Sequence, residues 1–309
     1  MLGITREIKT MRHKTNRAIV FFCLLLLLTG CKQNTSHSDL AFPGMSPDSV
    51  ERCAQDSLFT NTQYSRHLLR QALSGTSDSL SYYRLLSFYS KSYFVTADFD
   101  SILYYNQFIK RFCDRVTPSP EVHDLLSTVY NIEGNVLMQR TQPDSAIISY
   151  EKAYKERLQG KEPDYLPDLC INLADANVHK GDYTYAAYYY RRALFLCDSL
   201  GLPDRNKFPV YYGLGQTYME LRDFELSNHY YELAGAFFDR MSVSEKWTYL
   251  NNRGNHFYYK KDYPQAVCYI SRALDVVESY PQMVFEQNLC KANLGELYAV
   301  SYTHLRAHE

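Results

Sequence analysis

Residues 211–234 read YYGLGQTYMELRDFELSNHYYELA. The stretch breaks at Arg222-Asp223, and on either side apolar and aromatic residues recur every three or four positions, the period of a helix face. Small residues stand at Gly215, Ser227 and Ala234, and large ones beside them at Tyr211, Tyr218 and Tyr231. Two antiparallel helices pack with axes about 8–10 Å apart, so small residues at the close approaches and large ones in the adjoining spaces make an interlocking seam. Asp223 sits where a second helix begins and can accept hydrogen bonds from its free amides. The stretch predicts a helical hairpin.

The same arrangement recurs. Gly134, Ala174, Gly215 and Gly254 lie 40, 41 and 39 residues apart. Twelve residues after each comes Ala146, Ala186, Ser227 or Ala266, and seven further on Ala153, Ala193, Ala234 or Ala273. Tyr150, Tyr190, Tyr231 and Ile270 lie sixteen after the small residue. Gly295 continues the series 41 residues on, and Ser90 precedes it by 44. Turn signals recur at Gln142-Pro143, Gly181-Asp182 and Lys261-Asp262. Pro163, Pro167, Pro203, Pro209 and Pro281 interrupt the helices between hairpins, and Ser242 with Glu245 has the spacing of a capping box.

This pattern resembles the tetratricopeptide repeat, most fully in Tyr211, Leu214, Gly215, Tyr218, Ser227, Tyr231 and Ala234. The resemblance covers roughly residues 77–300, with a period near forty where the family's is thirty-four, and without the proline that usually closes a repeat. It implies an all-α fold, a right-handed α-solenoid of antiparallel hairpins. In that family the first helices line a concave surface that takes extended peptides. The corresponding inward positions here are Asn131, Asn135 and Gln139; Asp175 and His179; Tyr212, Gln216 and Glu220; and Asn251, Asn255 and Tyr259. Amide side chains pair with both groups of a peptide bond, so a protein or extended peptide is the expected partner. No Lys/Arg cluster recurs there to clamp a terminal carboxylate.

The N-terminus reads as an address. Arg6, Lys9, Arg12, Lys14 and Arg17 precede the eleven apolar residues Ala18–Leu28, too short for a spanning helix of about 20 residues and suited to a signal peptide. Leu28-Thr29-Gly30-Cys31 resembles the lipobox of bacterial lipoproteins, which implies an acylated Cys31 as first mature residue and a membrane anchored through lipid. Lys32-Gln33 lacks the aspartate that holds many enterobacterial lipoproteins at the inner membrane, which favours the outer membrane over the inner; the location expected is the periplasm or the outer membrane. The segments expected are a signal peptide (1–30), a tether (31–46), a helical cap or degenerate repeat (47–115) beginning at Ser46-Pro47-Asp48, the array (116–299), and a tail (300–309). The tail resembles translated adapter sequence, and the repeat predicts that after Gly295 a first helix runs about eight residues to a turn.

Without residues 1–30 the chain carries 28 Lys/Arg against 33 Asp/Glu, a net charge of −5. A mildly acidic surface without basic clusters argues against nucleic acid. Cys53, Cys113, Cys170, Cys197, Cys268 and Cys290 have neither the spacing of a metal site nor a close pairing, and most fall in apolar stretches as buried thiols. No catalytic motif appears, and His67, His123, His179, His229 and His256 share no spacing. No cofactor is expected and no enzyme. The 29 tyrosines read chiefly as amphipathic core. The function expected is a peptide- or protein-binding scaffold displayed as an exported lipoprotein; the alternative is the sensory region of a transmembrane regulator.

Overall fold

The structure, a computed structural model, describes residues 47–58 and 60–306, with side chains for 49–58 and 60–300. Calls on the signal peptide, the lipobox and the tether fall outside the described residues. Every element within them is helical: α1 (Pro47–Ser57), α2 (Thr62–Gly75), α3 (Ser79–Lys91), α4 (Phe99–Cys113), α5 (Pro120–Gln139), α6 (Pro143–Arg157), α7 (Leu166–Lys180), α8 (Tyr183–Ser199), α9 (Phe208–Glu220), α10 (Phe224–Gly235), α11 (Val243–Lys260), α12 (Tyr263–Glu278) and α13 (Val284–Arg306). Short 3-10 turns join some of them. None of these helices is long and apolar enough to cross a membrane.

Local chemistry sets the helix starts. Asn61, Asp78, Asp98, Ser119, Asp182, Asp223, Ser242 and Asp262 each accept a backbone N–H in the first turn of the helix that follows. Ser242 and Glu245 form the reciprocal capping box. Counting the small residue of each first helix as zero, the turn residue at +7 is left-handed in five hairpins: Ala97, Thr141, Gly181, Arg222 and Lys261. The N-cap follows at +8. In α13 the helix runs through +7 to Arg306, past the point where the repeat predicts a turn; position +8 there is Thr303, and no Gly or Asp breaks the run.

The chain divides into two compact units, one ending at Ala176 and the other beginning at Asn177. In the N-terminal unit α1 to α6 pack in sequence, and the first helices α1, α3 and α5 also touch in succession. Residues 47–113 therefore form two hairpins, α1/α2 and α3/α4. Leu68, Leu69, Leu85, Ile109 and Val129 fill their core, each contributing about 1.5–3 kcal/mol of burial. In the C-terminal unit α8 to α13 pack in sequence, with α9, α11 and α13 in succession, around Tyr231, Trp247, Leu250, Ile270, Val277 and Leu297.

The interlocking seam is present inside both units. A Cβ on Gly134 would collide with the Tyr150 ring, one on Gly254 with Ile270, and one on Gly215 would lie 2.9 Å from ring carbons of Tyr231. Rings at +3 and +15 stack as Tyr93/Tyr105, Tyr218/Tyr230 and Phe257/Tyr269. Around Ser90 the seam is polar: its hydroxyl lies 3.2 Å from the Ile102 carbonyl and 3.1 Å from Oδ1 of Asn106, which takes the +16 place and is fully buried. Tyr188, Tyr189 and Tyr190 are exposed, half-buried and buried in turn. Cys113, Cys170, Cys197 and Cys290 are buried as expected, whereas Cys268 is exposed.

Candidate functional site: the inward row of the first helices

The inward residues divide by offset from the small residue. At −3, Asn131, Tyr212 and Asn251 are acceptors for the next first helix. Nδ2 of Asn172 donates to Oδ1 of Asn131 at 2.8 Å, that of Asn252 to the Tyr212 hydroxyl, and that of Asn293 to Oδ1 of Asn251 at 3.2 Å. Each donor occupies −2 of its own helix. A hydrogen-bonded ladder thus ties neighbouring first helices, and Asn251, only 1% exposed, is a structural side chain.

At +1, Asn135 accepts a 2.7 Å hydrogen bond from the Tyr150 hydroxyl. Burial, and then the charge of Asp175, hold that phenol protonated by pushing its pKa well up. Asp175 and Asn255 are buried; Gln216 is half-buried. At +5, Gln139, His179, Glu220 and Tyr259 are all half-buried, and the Arg222 guanidinium lies 4.6 Å over the Tyr259 ring. In the C-terminal unit, where α9 and α11 touch, the partly accessible predicted residues are therefore Gln216, Glu220 and Tyr259, with Tyr212 bound into the ladder beside them.

Two polar clusters escaped the sequence. Arg157 is buried against Asp124: Nη1 reaches Oδ1 at 2.8 Å, while Nε reaches Ser127 and Nη2 reaches Thr128. Lys161 N–H donates to the other Asp124 oxygen at 3.0 Å, and the chain can pass there only because Gly160 has no Cβ to strike it. The second cluster joins buried Ser227 to buried His256 at 2.8 Å. Asp124 and Arg157 belong to no period, and although Ser227 holds the recurring +12 place, nothing periodic pairs it with His256; the clue is a charged or polar residue inside an apolar helix face. Among the described residues no group of three or more His, Cys, Asp or Glu is placed to hold a metal ion.

The tetratricopeptide repeat model matches residues 208–234, which are α9 and nearly all of α10. This chain carries tetratricopeptide repeats. Its fold is the all-α solenoid class of such hairpins. Comparison with curated proteins by sequence gives no match. Solved structures similar to it include the apo form of RapI, at TM-score 0.65 and 12% identity over 84% of this chain and 73% of that one. A second is a signal transduction ATPase with numerous domains and a tetratricopeptide repeat sensor from Pyrococcus horikoshii, at TM-score 0.59 and 16% identity over 85% of this chain. This chain spans only 43% of that protein's length. A third is NprR, a quorum sensor from B. thuringiensis, in complex with its cognate peptide NprX, at TM-score 0.55 and 17% identity over 85% of this chain and 78% of that one. At these identities the likeness is one of fold.

Proposed function

We propose that this tetratricopeptide array is a non-catalytic scaffold that binds an extended peptide along its first helices, with Gln216, Glu220 and Tyr259 as the contact row. One observation carries the reading: these three side chains stay partly accessible on the touching helices α9 and α11, while Asn251 and Asn252 are engaged in the ladder and Asn255 is buried. A Gln amide and a Glu carboxylate supply the donor and acceptors an extended backbone needs, and Tyr259, backed by Arg222, offers a ring for a side chain. The likeness in fold to NprR with its peptide supports the same use.

The test is a fluorescence-polarisation screen with labelled extended peptides. Gln216→Ala and Tyr259→Ala are expected to weaken a captured peptide about tenfold each, roughly one lost hydrogen bond or ring contact, with the melting temperature unchanged. Asn251→Ala is expected to lower the melting temperature instead. Failure of every peptide to bind, or undiminished binding by both variants, overturns the proposal.

The display we propose is that of an exported lipoprotein anchored through Cys31, on the strength of Leu28-Thr29-Gly30-Cys31 behind its apolar run. Cys31→Ala then moves the protein from the membrane fraction to the soluble one. A second reading, the sensory region of a transmembrane regulator, is favoured by the sensor proteins among the similar folds. It predicts a spanning segment in the intact gene, and sequencing the source DNA beyond the codon for Ala299 distinguishes the two.

A further inference from the structure

We propose that the solvent side of α4 and α6, in the N-terminal unit, docks on an anionic bilayer surface. At the offsets +14, +18 and +21 from the small residue, which share one helix face, the second helices turn toward solvent. α4 places Tyr104, Phe108 and Arg111 there, with Arg115 one turn further on. α6 places Ile148, Lys152 and Lys155 there, with Leu158 at its end. All of these are exposed, Tyr104 by 57%, Ile148 by 54% and Leu158 by 58%. The repeat does not demand such residues: α8 has a similar mixture in Tyr188, Arg192 and Phe195, whereas α10 has His229, Leu233 and Ala236, and α12 has Cys268, Arg272 and Asp275.

Among the described residues no carboxylate stands within ion-pair distance of Arg111, Arg115, Lys152 or Lys155. Glu133 is engaged by Lys110, Glu156 by His123 and Asp100 by Arg140. Asp114 and Glu151 are the exposed acids beside the four cations, and Asp144 lies at the far end of α6. The Tyr104 and Phe108 rings meet edge to face at 4.8 Å, and the Arg111 guanidinium lies 5.9 Å from the Phe108 ring. Nζ of Lys110 and Nζ of Lys152 each lie 5.7 Å from the Tyr130 ring, so the two helices bring their cations to the border of one residue.

A helix dipole favours cations near the C-terminal end, which accounts for the sign of these charges but not for the apolar side chains left bare among them. An interfacial surface uses both: apolar groups enter the headgroup region, and Lys and Arg meet anionic lipid. The occupant follows from the N-terminus and rests on the anchor reading above. Cys31 stands sixteen residues before Pro47, and a stretch of that length reaches at most about 58 Å. A lipid on Cys31 thus holds the N-terminal unit beside a bilayer, where even a weak surface affinity is realised as an intramolecular one. Without residues 1–30 the chain is net −5, so an anionic surface repels the molecule as a whole and admits it by a face whose cations are unpaired.

The test is sedimentation with vesicles, using the chain from Lys32 onward, which has neither the apolar run nor the acyl cysteine. Its failure is therefore read apart from failure of the anchor, which Cys31→Ala tests. The chain is expected to sediment with vesicles of phosphatidylglycerol and phosphatidylcholine, not with phosphatidylcholine alone, and to be released by about 0.5 M salt. Arg115→Gln with Lys155→Gln is expected to weaken binding at least about tenfold, and Tyr104→Ser with Ile148→Ser to weaken it as well. Both pairs are expected to melt like the parent, because the four side chains are exposed. No sedimentation with anionic vesicles overturns the proposal and leaves the face to an acidic protein surface. Equal sedimentation with both kinds of vesicle, or binding that both pairs of substitutions leave undiminished, overturns it too.

Discussion

The hydroxyl of Ser227 lies 2.8 Å from Nδ1 of His256 and 2.8 Å from the carbonyl oxygen of Gly215. Its one proton goes to the carbonyl, which accepts only, so the hydroxyl accepts from the imidazole and His256 is the Nδ1–H tautomer. One side chain on α10 thereby joins α9 to α11.

The repeat pattern prefers alanine at the place of Ser227, yet Ser227→Ala is expected to destabilise this chain. The substitution strands the Nδ1–H of a fully buried imidazole, which costs about 1–3 kcal/mol. Urea unfolding of Ser227→Ala beside His256→Leu and the double variant checks it. The double variant is expected to lose less than the two single losses together, because nothing remains to be stranded; simple additivity contradicts the shared bond.

The same imidazole makes stability depend on acid. Burial, then the charges of Arg253 and Lys260, lower the His256 pKa to about 4, against about 6.5 in an unfolded chain. The unfolded state therefore takes up a proton first, so this contribution is intact above pH 6.5 and is lost as pH falls from 6.5 toward 4, by about 3 kcal/mol in all. His256→Asn keeps an N–H toward Ser227 and does not titrate, and its stability is expected to fall less steeply across that window. Parallel curves for the two proteins from pH 7 to 4 place the acid sensitivity elsewhere.

What the sequence discloses and what it conceals have a physical division. Gly215/Tyr231, the Asp223 cap and the Ser242/Glu245 box are legible because each is a local or strictly recurring relation. The ladder is half legible: Asn131, Tyr212 and Asn251 recur at one offset, but only their contacts reveal that they face the next helix and not a ligand. Asp124 and Arg157 lie 33 residues apart and belong to no period, so nothing in the chain pairs them before it folds.

That pair sets a third expectation. Asp124→Ala leaves the buried Arg157 guanidinium with only the partly exposed Glu162 carboxylate, 3.1 Å from Nη1, as charged partner, so the loss is expected near the lower end of the about 3–5 kcal/mol that breaking a buried ion pair costs. Replacing both, as Asp124→Ala with Arg157→Met, is expected to recover much of the loss, since the arginine body packs and its charge is gone. Chemical denaturation decides between this and a surface-like effect below about 1 kcal/mol.

The turn at Thr141 is strained by its own side chain. A β-branched residue at φ 57° pushes Cβ toward the following carbonyl at about 1–2 kcal/mol, while Gly181 holds the same turn at φ 87° without that cost. Thr141→Gly is expected to stabilise the chain by roughly 0.5–1 kcal/mol after glycine's larger loss of chain entropy. A lower melting temperature would mean that Thr141 contributes packing which outweighs its backbone.

The seam itself is open to a compensation test. Gly215→Leu drives a branched side chain into the Tyr231 ring, which already stands 2.9 Å from where a Cβ would be, and overpacking of that kind costs about 1–3 kcal/mol or more. Tyr231→Ala alone opens a cavity at a fully buried site, costing about 3–5 kcal/mol as aromatic-to-alanine changes do. Combined, the leucine occupies the space the ring has left, so the double variant is expected to be more stable than the sum of the single losses predicts. Thermal melts of the four proteins measure the coupling. A coupling energy near zero would mean that the two residues do not share the space, and that the hairpin register placing Gly215 against Tyr231 is wrong.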